Sequence, residues 1–193
     1  MIAGLILAAG KSSRMGRWKP AIKINGTPLI LRAIGPMLDV VDKIVVVGGY
    51  RFLELKKLVI NISPKIAVIK NENFATEEMF SSIRIGVKNL ENFDIERFFI
   101  LPGDFPFIKK STYKKLLNIN GQIVIPTYRH RAGHPVLLKG HFVNLLLNES
   151  PESNLREFLK RFKIEFVEVN DPGILFDIDT MEDFKRGKDF YTG

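Results

Sequence analysis

Residues 1–19 read Met1-Ile-Ala-Gly-Leu-Ile-Leu-Ala-Ala-Gly10-Lys-Ser-Ser-Arg-Met-Gly-Arg-Trp-Lys19. The run Ile2–Leu7 is apolar and short, which predicts a buried strand. A secretory leader would place positive charge before its apolar stretch and a cleavage site after it. Here a small, basic loop follows at once. Small residues at 8–10 let backbone approach a ligand closely, and successive N–H groups can wrap phosphate oxygens. Arg14 can grip two oxygens in a fork, and Lys19 adds a mobile point charge. The loop matches neither the Walker A spacing nor the Gly-x-Gly-x-x-Gly dinucleotide turn. Two readings stay open on spacing alone: a solvated basic loop between strand and helix, or a cradle for a triphosphate.

Outward from this loop, apolar runs alternate with amphipathic stretches. Strands are expected at Lys43–Val47, Ile66–Ile69, Phe98–Leu101 and Ile123–Ile125. Helices are expected at Leu29–Leu38, Phe52–Val59, Glu78–Leu90 and Lys110–Leu117, the third with Met79, Ile83, Val87 and Leu90 on one face. This alternation predicts an α/β fold with a mainly parallel sheet, whose ligands bind beyond the carboxyl ends of the strands. The last third changes rhythm. Pro135–Leu138 and Ile164–Val169 read as strands and Phe142–Leu147 and Leu155–Phe162 as helices. A terminal helix is capped by Thr180 with Asp183 three residues on. No repeat or long linker interrupts the chain, so a single domain over 1–193 is expected.

The net charge is +8 and the pI about 9.7. Lys and Arg are interspersed with Glu and Asp, which fits a solvated surface and an anionic small-molecule substrate better than nucleic acid. No apolar stretch is long enough to cross a bilayer, so no membrane role is expected. There is no cysteine, which excludes disulfides and thiolate metal ligands. A cytoplasmic location is the simplest expectation.

Two acidic segments stand at the ends of apolar runs. Asp104, in Leu101-Pro-Gly-Asp-Phe-Pro106, is either a turn residue or a metal ligand at the mouth of the crevice. Asp177 and Asp179 are two residues apart, on one face of an extended segment. Mg²⁺ takes one or two carboxylates with phosphate oxygens and water, and Asp104 with Asp179 would supply that pair. Ser81 and Ser82 would either hydrogen-bond a base edge or cap a helix. His134, beside Pro135, is either structural or a ligand contact. Met15, Met79 and the fifteen Phe read as core packing.

The stretch Leu7-Ala-Ala-Gly-x-Ser-x-Arg-Met-Gly16, with Lys19 after it, resembles the opening motif of a nucleotidyltransferase family. That family includes the molybdenum cofactor cytidylyltransferases, their guanylyltransferase cousins and sugar-phosphate nucleotidyltransferases. The resemblance continues through Gly48-Gly49-Tyr50, Asn71 to Ile83, Leu101 to Pro106, Gly133-His-Pro-Val136 and Asp171 to Thr180. It is nearest to the cytidylyltransferase branch through Ala9, Gly133-His-Pro135 and the Asp-Ile-Asp-Thr ending. It implies a three-layer α/β/α Rossmann-like fold. It further implies transfer of a nucleoside monophosphate from a triphosphate, CTP favoured over GTP by Ala9, to a phosphorylated acceptor such as molybdopterin. The implied nucleotide contacts are Leu7, Ala8, Ala9, Gly10, Ser12, Arg14, Lys19, Gly49 and Ser82. Catalytic roles fall on Arg14, Lys19 and Asp104, and Mg²⁺ on Asp104 and Asp179. Tyr128, His134 and Asp177 lie on the acceptor side.

Overall fold

The computed structural model describes residues 1–12, 15–76, 79–150 and 152–190. In chain order the elements are β1 (Ile2–Ala8), β2 (Lys23–Ile24), β3 (Thr27–Pro28), α1 (Leu29–Leu38), β4 (Lys43–Gly48), α2 (Phe52–Val59) and β5 (Ile66–Lys70). They continue with α3 (Met79–Leu90), β6 (Arg97–Pro102), α4 (Lys110–Leu117), β7 (Ile123–Tyr128), β8 (Arg131–Ala132) and β9 (Val136–Lys139). The chain closes with α5 (Phe142–Leu147), α6 (Leu155–Lys160), β10 (Ile164–Glu168) and α7 (Met181–Asp189). Short 3₁₀ turns at Lys19–Ala21 and Pro172–Leu175 complete it.

The main sheet runs β10-β7-β9-β6-β1-β4-β5, with β8 paired to β7. Neighbouring pairs are parallel except those made by β9 with β6 and β7, and by β8 with β7. A sheet that is mainly parallel is therefore present, with one antiparallel strand threaded into it. The expected strand from Pro135 begins at Val136 instead, because Pro135 has no N–H to give the ladder. The His134–Pro135 peptide is cis.

Strand β1 explains the layers. Ala3, Leu5 and Leu7 face one side and pack with Phe80, Ile83 and Val87 of α3, Phe142 of α5 and Phe158 of α6. Ile6 faces the other side, with Ile30 and Ile34 of α1, Leu55 of α2 and Tyr113 of α4. Both faces are covered by helices, so strands such as β4 are apolar throughout rather than alternating. The chain goes from β1 to β4 and β5 on one side, then crosses to β6 on β1's other flank. Strand order thus reverses between β1 and β6, and a crevice opens there beyond their carboxyl ends.

The acidic segment 171–180 is fastened in two places. Asp171 is buried, and its carboxylate accepts from Lys109 N at 2.8 Å, Thr112 Oγ1 at 2.6 Å and Gly173 N at 3.0 Å. Lys109, the N-cap residue of α4, makes no side-chain cap of its own, so Asp171 caps that helix from a distance. Downstream, Thr180 and Asp183 form the reciprocal capping box expected from their spacing. Replacing Asp171 with Ala strands three donors: the partly buried Lys109 N and the buried Thr112 hydroxyl at a helix start, and the buried Gly173 N. Charge-assisted bonds of this kind are worth about 1.5–3 kcal/mol each and are not additive. Asp171→Ala is expected to lower unfolding free energy by about 3 kcal/mol or more, read from the midpoint of a urea titration.

Candidate active site

The loops after β1 and β6 meet at the strand-order reversal. Gly103 N donates to the Leu7 carbonyl at 2.8 Å, and Ile178 N donates to the Asp104 carbonyl at 3.0 Å. These bonds stitch three segments into one wall. The Ile178 side chain is fully buried beside Met15, Leu29 and Phe107, so its neighbours Asp177 and Asp179 turn the other way, into the cleft. Asp179 is held from behind as well, since its N–H donates to Asp183 of the capping box at 3.3 Å.

Lys19 stands between the acids. Its Nζ donates to Asp104 Oδ2 at 2.9 Å and to Asp179 Oδ1 at 2.5 Å. The loop that presents it closes on itself, because Lys19 N donates to Ser12 Oγ at 3.2 Å and Met15 N to the Ser12 carbonyl at 3.1 Å. Trp18 anchors the same turn: it is buried, with the Arg51 guanidinium 4.8 Å from its ring centre. Partial burial works against the Lys19 charge, but Asp104 and Asp179 outweigh it and hold the ammonium above the ordinary lysine pKa. Asp177 titrates above the usual carboxylate range. Partial burial of its carboxyl contributes most, then the charges of Asp104, Asp179 and Asp183. The residue as a whole is exposed, so the direction is informative and no energy follows from it.

Around this triad lies a cleft of about 700 Å³, within the range of small-molecule sites. Its floor joins a small hollow of about 100 Å³ formed by Leu7, Ala8, Gly10, Ser12, Lys19, Gly103 and Asp104. One end is therefore a narrow polar cradle. The other is an apolar wall that includes Met79, Phe105, Val136, Leu155 and Leu159.

Residues 4–166 match the model of the MobA-like NTP transferase domain. The chain belongs to the MobA-like NTP transferase family. It is 29% identical over 189 residues to the molybdenum cofactor cytidylyltransferase of Escherichia coli K12, covering 97% of this chain and 96% of that one. It is 26% identical to a probable molybdenum cofactor guanylyltransferase of Natranaerobius thermophilus, covering 98% and 96% of the two chains. A solved nucleotidyl transferase from Methanothermobacter superposes with a TM-score of 0.84 at 21% identity, covering 100% of this chain and 98% of that one. As a MobA-like transferase the chain is a nucleotidyltransferase of three-layer α/β/α architecture.

Within this MobA-like site the structure brings Leu7, Ala8, Gly10, Ser12, Lys19, Asp104, His134, Asp177 and Asp179 onto one cleft surface. Arg14 and Glu78 lie outside the described residues. Ala9, Gly49, Ser82 and Tyr128 do not line the cleft. Ala9 and Gly49 pack against each other: a Cβ on Gly49 would come within 2.7 Å of the Ala9 carbonyl oxygen and 2.4 Å of Phe74 Cβ. Their contribution is to let the first loop lie tightly on the second. Ser82 is buried, and its hydroxyl, like that of Ser81, accepts from Asn71 Nδ2 at 3.0 Å. Tyr128 ends β7 with the Arg129 guanidinium 5.3 Å from its ring centre, away from the cleft lining.

The apolar wall is what sequence reading missed. Met79 was expected in the core with Ile83, Val87 and Leu90, yet those three are buried while Met79 is 61% exposed and lines the cleft. It begins its helix over the cleft, beside Leu7 and Pro102 at the carboxyl ends of β1 and β6, where the same helical face no longer meets strands. Phe93 and Phe166 are likewise exposed, at 41% and 59%, so not every Phe is core. Arg156, exposed on α6, is the cation of this wall among the described residues.

His134 shows how tightly the wall is built. Its ring meets Phe105 edge-on at 4.7 Å, its N–H donates to the Ile174 carbonyl at 2.9 Å, and Nδ1 is shielded with no hydrogen-bond partner. The neighbouring Gly133 has no alternative, since a Cβ there would sit 2.2 Å from the Ile174 oxygen. Burial lowers the His134 pKa to about 4. The ring is neutral in the fold, whereas the unfolded chain takes up its proton below about pH 6.5. Its contribution is thus fully present above that pH and is lost as pH falls toward 4. The whole swing is at most about 3 kcal/mol, reduced by the ring's partial access to the cleft. Unfolding free energy measured from pH 7 to 4 is expected to fall more steeply for the natural chain than for His134→Gln.

Proposed function

We propose that the chain transfers a nucleoside monophosphate, CMP from CTP in the first instance, to the phosphate of an acceptor of the molybdopterin kind, whose flat ring faces suit an apolar wall, with Mg²⁺ required. The observation that carries this reading is the Lys19 ammonium held by Asp104 and Asp179 at the junction of a phosphate-sized hollow and an apolar wall. Two carboxylate oxygens converging on one positive centre fit the donor set of Mg²⁺, with phosphate oxygens and water completing it. Among the described residues there is no cluster of three or more metal-ligating side chains, which suits a cation that arrives with its substrate. When bound, Mg²⁺ would neutralise charge on the phosphates.

The acceptor phosphate is already ionised and needs no general base. Attack on the α-phosphate forms a new P–O bond and expels pyrophosphate, so the protein's work is positioning and neutralising charge. The backbone around Ala8 to Gly10 lines the cradle, Lys19 would give its charge to the triphosphate, and Asp104 with Asp179 would hold the cation. Arg14 is assigned to the same phosphates by family resemblance. CTP is favoured by the cytidylyltransferase relative, and GTP is the second nucleotide to try.

A sugar-phosphate acceptor would call for many hydrogen-bonding groups, whereas Met79, Phe105, Val136, Leu155 and Leu159 offer apolar surface. A silent nucleotide-binding module would have no use for a paired metal site beside the cradle. The reading is tested by screening CTP, GTP, ATP and UTP against phosphorylated pterin and sugar-phosphate acceptors for pyrophosphate release. Release with CTP and a pterin phosphate is the expected result. Preference for a sugar phosphate, or tight nucleotide binding with no release from any pair, would refute it.

A further inference from the structure

At the end of the strands opposite the cleft, the start of β6 meets the end of antiparallel β9 beside a second cavity of about 370 Å³. Glu96, Arg97, Asn118, Asn120 and Lys139 supply its polar lining. Arg97 is only 7% exposed, deep burial for a guanidinium. Its Nη1 donates to the Leu117 carbonyl at 2.9 Å, at the end of α4, while Nε and Nη2 are shielded and have no hydrogen-bond partner. Buried donors left unmatched on a charged group point to an absent water or ion. The two vacant nitrogens lie side by side on the guanidinium, the fork that matches two oxygens of a carboxylate or phosphate.

A second observation concerns Lys139. It stands directly opposite Arg97 in the β6–β9 register, so both cations project from the same face of the sheet. Like charges so placed are destabilising without an intervening anion. Glu96 is the acid of the cavity lining, which leaves the three side chains one positive charge in excess. Burial itself lowers the Arg97 pKa, and Glu96 offsets it only in part. A water molecule would satisfy donors but leave two cations on one sheet face with Glu96 as the acid of the lining. An oxoanion does both.

We propose that this cavity binds a small oxoanion of the phosphate or carboxylate class in the fork of Arg97 Nε and Nη2, with Lys139 as its second cation. The site is separate from the catalytic cleft and shares no residue with it. Both nitrogens are shielded, so binding requires the lining to open, and Glu96, Asn118 and Asn120 are its exposed parts.

The test is a nuclear magnetic resonance titration of the whole chain with inorganic phosphate, and separately with acetate, at constant ionic strength. The probes are the Arg97 Nε–H and the amides of residues 118–121, with those of 8–12 reporting the catalytic loop. Saturable shifts at Arg97 and 118–121 are expected, and the stronger of the two anions identifies the class. Lys139→Gln is expected to weaken binding about tenfold, the usual weight of one charged contact, and Glu96→Gln to strengthen it. Arg97→Gln should abolish it; if that variant does not fold, Lys139→Gln decides alone. Shifts confined to residues 8–12, no shift with either anion, or binding indifferent to Lys139→Gln would overturn the proposal.

Discussion

Replacing Asp104 with Ala is expected to lower nucleotidyl transfer by about a thousandfold while leaving the fold intact. Asp104 is a quarter exposed at the cleft, and its backbone carbonyl, which the substitution keeps, makes the bond to Ile178 that fixes the 177–179 segment. The lost function is charge: one of the two carboxylates that would hold the cation is gone. A bound cation supplies several kcal/mol of transition-state stabilisation, and about 4 kcal/mol corresponds to the thousandfold fall. Steady-state pyrophosphate release measures it, with circular dichroism confirming the fold. Unchanged turnover would remove Asp104 from the chemistry.

Lys19→Met is expected to give two effects of opposite sign. Transfer should fall by about 10²–10³-fold, the range found when one preorganised charge donor to a transition state is removed. Affinity for a divalent cation without nucleotide should rise instead. In the present arrangement Asp104 and Asp179 share one ammonium, so an incoming cation competes with Lys19 for the same oxygens. With a triphosphate in the cradle, Lys19 has other anions to turn to and the competition eases. Manganese titrations of the natural chain and of Lys19→Met, with and without a non-hydrolysable triphosphate, measure this directly. The natural chain should show metal and nucleotide each tightening the other, as linkage requires, and the variant should lose most of that coupling. Weaker metal binding in Lys19→Met would mean that the lysine supports the site instead of guarding it.

The layered fold was legible because its signals are local. Apolar runs such as Lys43–Val47 cannot be anything but buried strands, and the ends of α1, α2, α4 and α5 follow from patterning and turns. Asp177, Ile178 and Asp179 alternate as an extended segment must, so both acids facing the cleft could be read from spacing. Asp171 was not legible as a remote cap for α4, because its partners Lys109 and Thr112 lie some sixty residues away. The antiparallel insertion of β9 is likewise a long-range pairing with no local signature. Gly49 and Ser82 belong to the right motifs, but a motif does not say which of its residues face the ligand and which merely let the backbone close up. Met79 failed for the opposite reason: its helical spacing is that of a core residue, and only its position over the cleft, past the strand ends, leaves it uncovered.

The central claim is that the Lys19–Asp104–Asp179 cluster is a nucleotide-and-cation site. The most direct measurement is CTP affinity by isothermal titration, in Mg²⁺ and in EDTA, for the natural chain and for Asp104→Ala. Chelation is expected to weaken CTP binding to the natural chain by at least about tenfold, and Asp104→Ala to bind weakly in both conditions with little difference between them. Equal, tight binding by both proteins with and without Mg²⁺ would contradict it.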